Sequence, residues 1–361
     1  MTTKLLSPFQ KFVKIESLSG ILLLATNILA LVWANSPYAS SYDAIWNYEL
    51  GITTQSFEFT KPVILWINDG LMAIFFFLIG LEIKREILIG ELNSVKKLAF
   101  PLFGALGGMI IYSGTIKMGL LAIAFGILGL LYILAARQFF SKFLLLIAGI
   151  AVWFLFLKAG IHPTIAGILL AFSVPVRQKM VTDDFINSLG KFYNDFKKAR
   201  ILKKPILSKQ QLAQLNNLDE TTDQFRSPLQ SLEYDLHGWV AYCIIPIFAL
   251  ANAGISINGV ESINSSFAIT IIIALVLGKG IGVSGIVLLA QKLKWITIPK
   301  DISKQQIIGV SFLAGIGFTM AIFIANLAFS SSIYLNSAKI GVLIGSLIAA
   351  VIGYIILRRT S

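Results

Sequence analysis

Long apolar runs separated by short, mostly basic segments dominate this chain. A helix needs roughly 20 apolar residues to cross a bilayer core, and about ten stretches approach that length. They fall near 17–35, 60–82, 97–112, 118–136, 142–157, 161–176, 238–254, 267–291, 306–329 and 338–357. The runs are apolar around the whole helix rather than along one stripe, which predicts membrane spans and not helices half-bathed in water. The pattern therefore predicts an all-α integral membrane protein of about ten transmembrane helices. Six spans form an N-terminal membrane bundle over 1–176 and four form a C-terminal bundle over 238–361.

The segment 177–237 interrupts this rhythm. It is rich in Lys, Gln, Asn and Asp and reads as a cytoplasmic insertion, helical around 185–198 and flexible around 209–227. A second departure lies at 52–59, where β-branched and aromatic residues alternate with polar ones and predict a short strand or hairpin.

Composition agrees with the pattern: 56% of residues are hydrophobic and 13% charged, and the mean hydropathy is +0.80. The net charge of +12 would be compatible with nucleic acid, but its distribution points elsewhere. Lys4, Lys11 and Lys14 precede the first run; Lys84, Arg85, Lys96 and Lys97 follow the second; Arg137 and Lys142 follow the fourth. Lys197, Lys198, Arg200, Lys203 and Lys204 lie in 177–237, Lys292, Lys294, Lys300 and Lys304 follow the eighth run, and Arg358 and Arg359 close the chain. The intervening loops hold few cations, and the first carries Asp43, Glu49 and Glu58. Cations on alternate loops are the positive-inside pattern. It predicts two cytoplasmic termini, a lipid bilayer as the partner and no nucleic acid. Cys243 is the single cysteine, so there is no disulfide framework and no thiolate metal site.

Against this apolar background a few polar residues stand out. Lys279 follows a long apolar run inside the eighth span. A lysine at mid-bilayer costs roughly 2.5–3.5 kcal/mol on insertion scales, so it is expected to be buried against other helices with a polar partner. Asp69, in Trp66-Ile67-Asn68-Asp69-Gly70, either lines a periplasmic funnel or is a solvated interfacial carboxylate. Glu82, Arg85 and Glu86 share one helix face by their spacing. His162 and His237 are the two histidines, residues whose charge can change in the physiological pH range; without thiols nearby they do not form a zinc site. Gly315, Gly317 and Thr319 inside the ninth span predict an interrupted helix whose freed carbonyls can meet a cation.

Gly80-Leu81-Glu82-Ile83-Lys84-Arg85-Glu86 and Gly315-Ile316-Gly317-Phe318-Thr319-Met320 closely resemble signature stretches of the NhaA-type sodium/proton antiporters. The resemblance extends through 66–92, 157–167, 239–254 and 315–329. It implies an inverted-repeat transporter of the bacterial inner membrane that exchanges sodium for protons and contains no cofactor. It implies that Lys279, Asp69, Thr319 and Gly317 line the ion pathway. It also implies that Glu82, Arg85, Glu86, Glu233 and His237 form a cytoplasmic pH-sensing cluster. Clustered carboxylates perturb one another's titration, which gives such a cluster its physical basis. The hairpin near 50–60 corresponds to a homodimer contact in the family.

The chain departs from the family near Gly107-Gly108-Met109. The family continues there through two further spans, which carry a Thr-Asp pair in a broken helix and two adjacent aspartates. Here the chain passes almost directly to Lys117-Met118, and no Asp or Glu occurs from Leu92 to Thr182. The fold predicted is thus an NhaA-like fold with two helices lost. Asp183 and Asp184 lie in the polar insertion and do not replace the missing pair. On these residues exchange is expected to be impaired. A non-transporting remnant and a transporter of another substrate are the alternatives. An intramembrane serine protease is excluded as far as Gly282-Val283-Ser284-Gly285 suggests one, because no histidine follows His237.

Overall fold

A computed structural model of the chain describes residues 8–54, 58–88, 116–137, 139–178, 180–198, 208–255, 263–294 and 303–360. Helix α1 (Pro8–Ala34) turns into α2 (Ala39–Asn47). Strands β1 (Glu49–Thr53) and β2 (Glu58–Pro62) pair antiparallel, with Gly51 opposite Thr60. Then come α3 (Val63–Leu88), α4 (Met118–Ala136), α5 (Lys142–Ala159) and the short α6 (Thr164–Ser173). Two polar helices, α7 (Thr182–Lys198) and α8 (Lys209–Phe225), precede α9 (Pro228–Asn252) and α10 (Ser265–Lys292). The chain ends with α11 (Lys304–Leu313), α12 (Phe318–Ala328) and α13 (Ser332–Arg358).

Among the described residues six helices are long and apolar enough to cross a membrane: α3, α4, α5, α9, α10 and α13. Two bent pairs bring the number to eight if each counts as one span: α1 with α2, bent 112°, and α11 with α12, bent 44°. The protein is thus a largely helical, multi-pass membrane protein. Of the ten stretches expected from the sequence, 97–112 lies outside the described residues. The stretch 161–176 forms only the ten-residue α6, about 15 Å long at 1.5 Å per residue, which is half a bilayer core. Prolines set its limits. Pro163 is its N-cap, and Val174, whose successor is Pro175, closes it in an extended conformation.

The expectation of a flexible 209–227 is corrected, since α8 occupies most of it. Ser208 accepts from the backbone of Gln211, and Gln211 returns a bond to the Ser208 N–H, forming a capping box. Phe185 of α7 stacks on Phe225 of α8, 4.1 Å between ring centroids, so the two polar helices form a hairpin. The expected hairpin near 52–59 is present as β1–β2, with residues 55–57 outside the described set.

Two compact units are present: residues 1–68 with 245–361, and residues 69–244. The chain passes between them within α3, after Asn68, and within α9, after Ile244. These units follow contact rather than chain order, so they differ from the three consecutive regions that the sequence pattern suggests.

In the unit 69–244, α3 packs closely on α6. Glycine makes this approach possible. A Cβ on Gly167 would lie 2.2 Å from the Ala73 carbonyl oxygen, and one on Gly80 would lie 2.7 Å from the Ala171 Cβ. Such small-residue contacts replace the hydrophobic drive that lipid cannot supply between helices. Phe77, Leu81, Leu145, Val174 and Leu229 fill the core around this contact. In the other unit α13 packs on α10 and α11, and α1 packs on the end of α9, around Ala30, Tyr42, Leu275, Phe318, Ile322 and Val342.

Candidate functional site

Among the described residues three helices contain a π-helical turn: Trp66–Leu71 in α3, Val240–Ile244 in α9 and Ala274–Lys279 in α10. Such a turn inserts one residue into the helical ladder and re-aims the side chains around it. Asp69 sits in the first of these turns and is 9% exposed, the one carboxylate buried among the described residues. This places it against the reading as a solvated interfacial group.

His162 stands beside Asp69, Nε2 lying 3.7 Å from Asp69 Oδ1. The other ring nitrogen, Nδ1, faces Thr164 Oγ1 at 2.7 Å and accepts from the Thr164 backbone N–H at 3.4 Å. A backbone N–H can only donate, so Nδ1 is the acceptor of the neutral ring and Nε2 carries the proton toward Asp69. The Trp153 indole N–H donates to the Asp69 carbonyl at 3.0 Å and completes the wall. The arrangement is a buried carboxylate with a proton-bearing neighbour. A carboxylate binds either a proton or a cation.

The opposite end of α3 carries the second group of sequence candidates, and four of them, Arg85, Glu86, Glu233 and His237, lie together. Arg85 donates to Glu233 of α9 through Nη1 and to Glu86 through Nη2, the latter at 3.4 Å. Arg85, His237 and Glu86 all act electrostatically on Glu233. Glu82 is half-buried one turn before Glu86 on α3. Neighbouring contacts were not anticipated from the sequence. Lys84 donates to the carbonyls of Phe172 and Val174 and closes the C-terminus of α6. Lys142 donates to Asp235 Oδ2 at 2.8 Å and to Ser231 Oγ at 3.0 Å. Ser231 and Asp235 thus face α5, while Glu233 and His237 belong to the α3 side, as four-residue spacing on one helix allows.

The expectation for Lys279 is corrected. It ends the α10 π-helical turn, but its side chain is exposed and has no hydrogen-bond or ion-pair partner among the described residues. Leu275 and Val276 face the core, whereas Leu277, Gly278 and Lys279 lie on a face that the neighbouring helices leave open. The ammonium does lie beside a second predicted residue. A Cβ on Gly317 would stand 3.5 Å from Lys279 Nζ.

The interrupted helix expected at Gly315–Thr319 is present as the break between α11 and α12. A Cβ on Gly315 would meet the Phe312 and Leu275 carbonyl oxygens at 2.8 and 2.9 Å, so only glycine lets the broken segment approach α10 this closely. Gly317 is buried at the start of α12, and Thr319 is half-buried in its first turn. The unpaired N–H groups there make a locally positive end.

Sequence reasoning missed one constellation, built around the buried Asn252. Asn252, at the end of α9, is hydrogen-bonded to Asn68 and to Asn326 of α12. The signal lay in three lone amides within apolar runs, but nothing in their spacing joins them.

Among the described residues the chain is a multi-pass helical membrane protein with a broken helix, π-helical turns and a buried carboxylate. Comparison with known proteins gives its family. The model of the Na+/H+ antiporter 1 family matches residues 10–111 and 109–357, and the chain belongs to that family. A Na(+)/H(+) antiporter NhaA of Oleidesulfovibrio alaskensis is 36% identical, covering 98% of this chain and 94% of the relative. Similar proteins of the same name from Koribacter versatilis and Sulfurimonas denitrificans are 35% and 33% identical, covering 99% and 98% of the chain and 92% and 96% of themselves. The two family-model matches meet at 109–111, inside the acid-free interval from Leu92 to Thr182. The alignment to the first relative runs over 424 positions against 361 residues in this chain, so that relative has stretches without a counterpart here.

Proposed function

We propose that this chain is a sodium/proton antiporter of a bacterial inner membrane, with Asp69 as the carboxylate that binds the two ions in turn. The observation that carries the site assignment is the burial of Asp69 in the α3 π-helical turn against His162. Exchange requires a group that holds a proton or a sodium ion but not both. A carboxylate meets that requirement, whereas amides, hydroxyls and carbonyls bind the cation without releasing a proton. Family membership over nearly the whole chain favours this function over that of a non-transporting remnant.

The remaining assignments follow the same reading. Thr319 and Gly317, at the positive start of α12, and Lys279 beside them belong to the ion pathway. Arg85, Glu86, Glu233, His237 and Glu82 form a cytoplasmic regulatory cluster that responds to pH. The fold is an inverted-repeat bundle lacking two helices of the family. Both termini and the α7–α8 hairpin lie in the cytoplasm, and the exposed β1–β2 hairpin joins two copies into a homodimer. Because the adjacent aspartates are missing, exchange is slower than in a version with that segment restored.

The test is the sodium-induced pH change in everted vesicles carrying this chain. Sodium-dependent proton movement that Asp69→Asn abolishes supports the reading. Absence of that movement, or its persistence in the Asp69→Asn variant, refutes it.

A further inference from the structure

Asn252 is 1% exposed, and all of its hydrogen-bonding capacity is used. Its Oδ1 accepts from Asn68 Nδ2 at 3.2 Å and from Asn326 Nδ2 at 2.7 Å. Its Nδ2 donates to Asn68 Oδ1 at 2.8 Å and to the Phe248 carbonyl at 2.9 Å. An asparagine amide offers two N–H groups and an oxygen with two lone pairs, so the set is complete. In hydrocarbon an amide that loses a partner finds no water to replace it, which makes this arrangement strongly preferred over any partial one.

The three amides come from α3, the end of α9 and α12. Asn68 lies in the π-helical turn Trp66–Leu71, directly before Asp69. A π turn competes with the ordinary helical ladder, and one residue of helix corresponds to about 100° of rotation. Relaxation of that turn to α geometry would swing Asp69 away from its present direction. Reciprocal bonds from Asn252 to both ends of the Asn68 amide oppose this, because they fix the direction of the residue next to Asp69.

We propose that Asn252 is a positioning residue for ion binding: by pinning Asn68 it holds the α3 π-helical turn in the register that presents the Asp69 carboxylate. Asn326 steadies the hub from α12. This inference rests on Asp69 being the exchange carboxylate.

The experiment measures sodium-dependent thermal stabilisation of the purified full chain in detergent, which reports sodium affinity without requiring transport. Everted-vesicle exchange is measured alongside. Asn252→Leu keeps the side-chain size and removes all four bonds; its apparent sodium affinity is expected to fall at least tenfold. Asn326→Leu spares the Asn68–Asn252 pair and is expected to show a smaller fall. A merely structural asparagine would lower the melting temperature without sodium and leave sodium affinity unchanged. Affinity of Asn252→Leu within twofold of the parent therefore overturns the proposal. Should Asn252→Leu fail to accumulate, Asn68→Ser carries the same expectation and the same overturning result. A parent chain that gains no stability from sodium also overturns it. A parent chain that binds sodium but exchanges no protons refutes the antiport reading alone.

Discussion

His162 Nε2 lies 3.7 Å from Asp69 Oδ1, with both side chains shielded from solvent. The ring is fixed from its other edge by Thr164. His162→Ala is expected to remove the ring contact of the Thr164 hydroxyl, 2.7 Å long, and to cost about 1–3 kcal/mol. His162→Gln, which restores a donor and an acceptor, should recover part of this loss. Thermal unfolding of the two variants in detergent measures the difference; equal melting temperatures for parent and His162→Ala would show that the contact contributes nothing.

Arg85 and Glu233 join α3 to α9, and the Glu233 side chain is only 15% exposed. Hydrogen bonds to charged groups contribute about 1.5–3 kcal/mol when shielded, and the Arg85 side chain is 39% exposed, so solvent screening brings this pair below that range. A double-mutant cycle with Arg85→Ala and Glu233→Ala is expected to give a coupling of about 1 kcal/mol. The same variants should alter the pH profile of exchange if the cluster is regulatory. Additive effects on stability together with an unchanged profile would contradict both expectations.

The α7–α8 hairpin depends on the Ser208–Gln211 capping box and on Phe185 stacked against Phe225. Ser208→Ala is expected to weaken α8 by about 0.5–2 kcal/mol. Faster hydrogen exchange and faster proteolysis confined to residues 209–225 would register it, with the membrane helices unaffected. Protection equal to the parent would show that packing alone holds α8.

The α3–α6 contact has no room at Gly167, where a Cβ would lie 2.2 Å from the Ala73 carbonyl oxygen. Gly167→Val is expected to destabilise the chain by more than about 3 kcal/mol or to prevent folding, because backbone must move. Gly126→Ala, whose Cβ meets nothing within 4 Å, should be silent. Comparison of folded yield by size-exclusion profile checks the pair.

Topology reporters fused at Asn187 and at Ser361 are expected to report the cytoplasm. A periplasmic signal from either would contradict the reading of the basic loops.

The apolar helices, the break at Gly315–Gly317 and the family are legible from the chain alone. Each is encoded locally, in a run of apolar residues or in a glycine pattern within one turn. The sequence also held the Ser208–Gln211 cap, a local signal that the polarity of 209–227 obscured. The rest depends on packing between segments distant in sequence. Asn68 and Asn252 are 184 positions apart, and no periodicity links them. Asp69 is buried because α3 packs where His162 and Trp153 stand, whereas its own neighbours in sequence were equally compatible with an interfacial position. Lys279 shows the reverse. Its apolar surroundings in sequence suggested burial, yet the side of α10 on which it lies is left open. Helical period fixes which residues share a face, but only the packing of helices distant in sequence decides which faces are covered and which polar atoms meet.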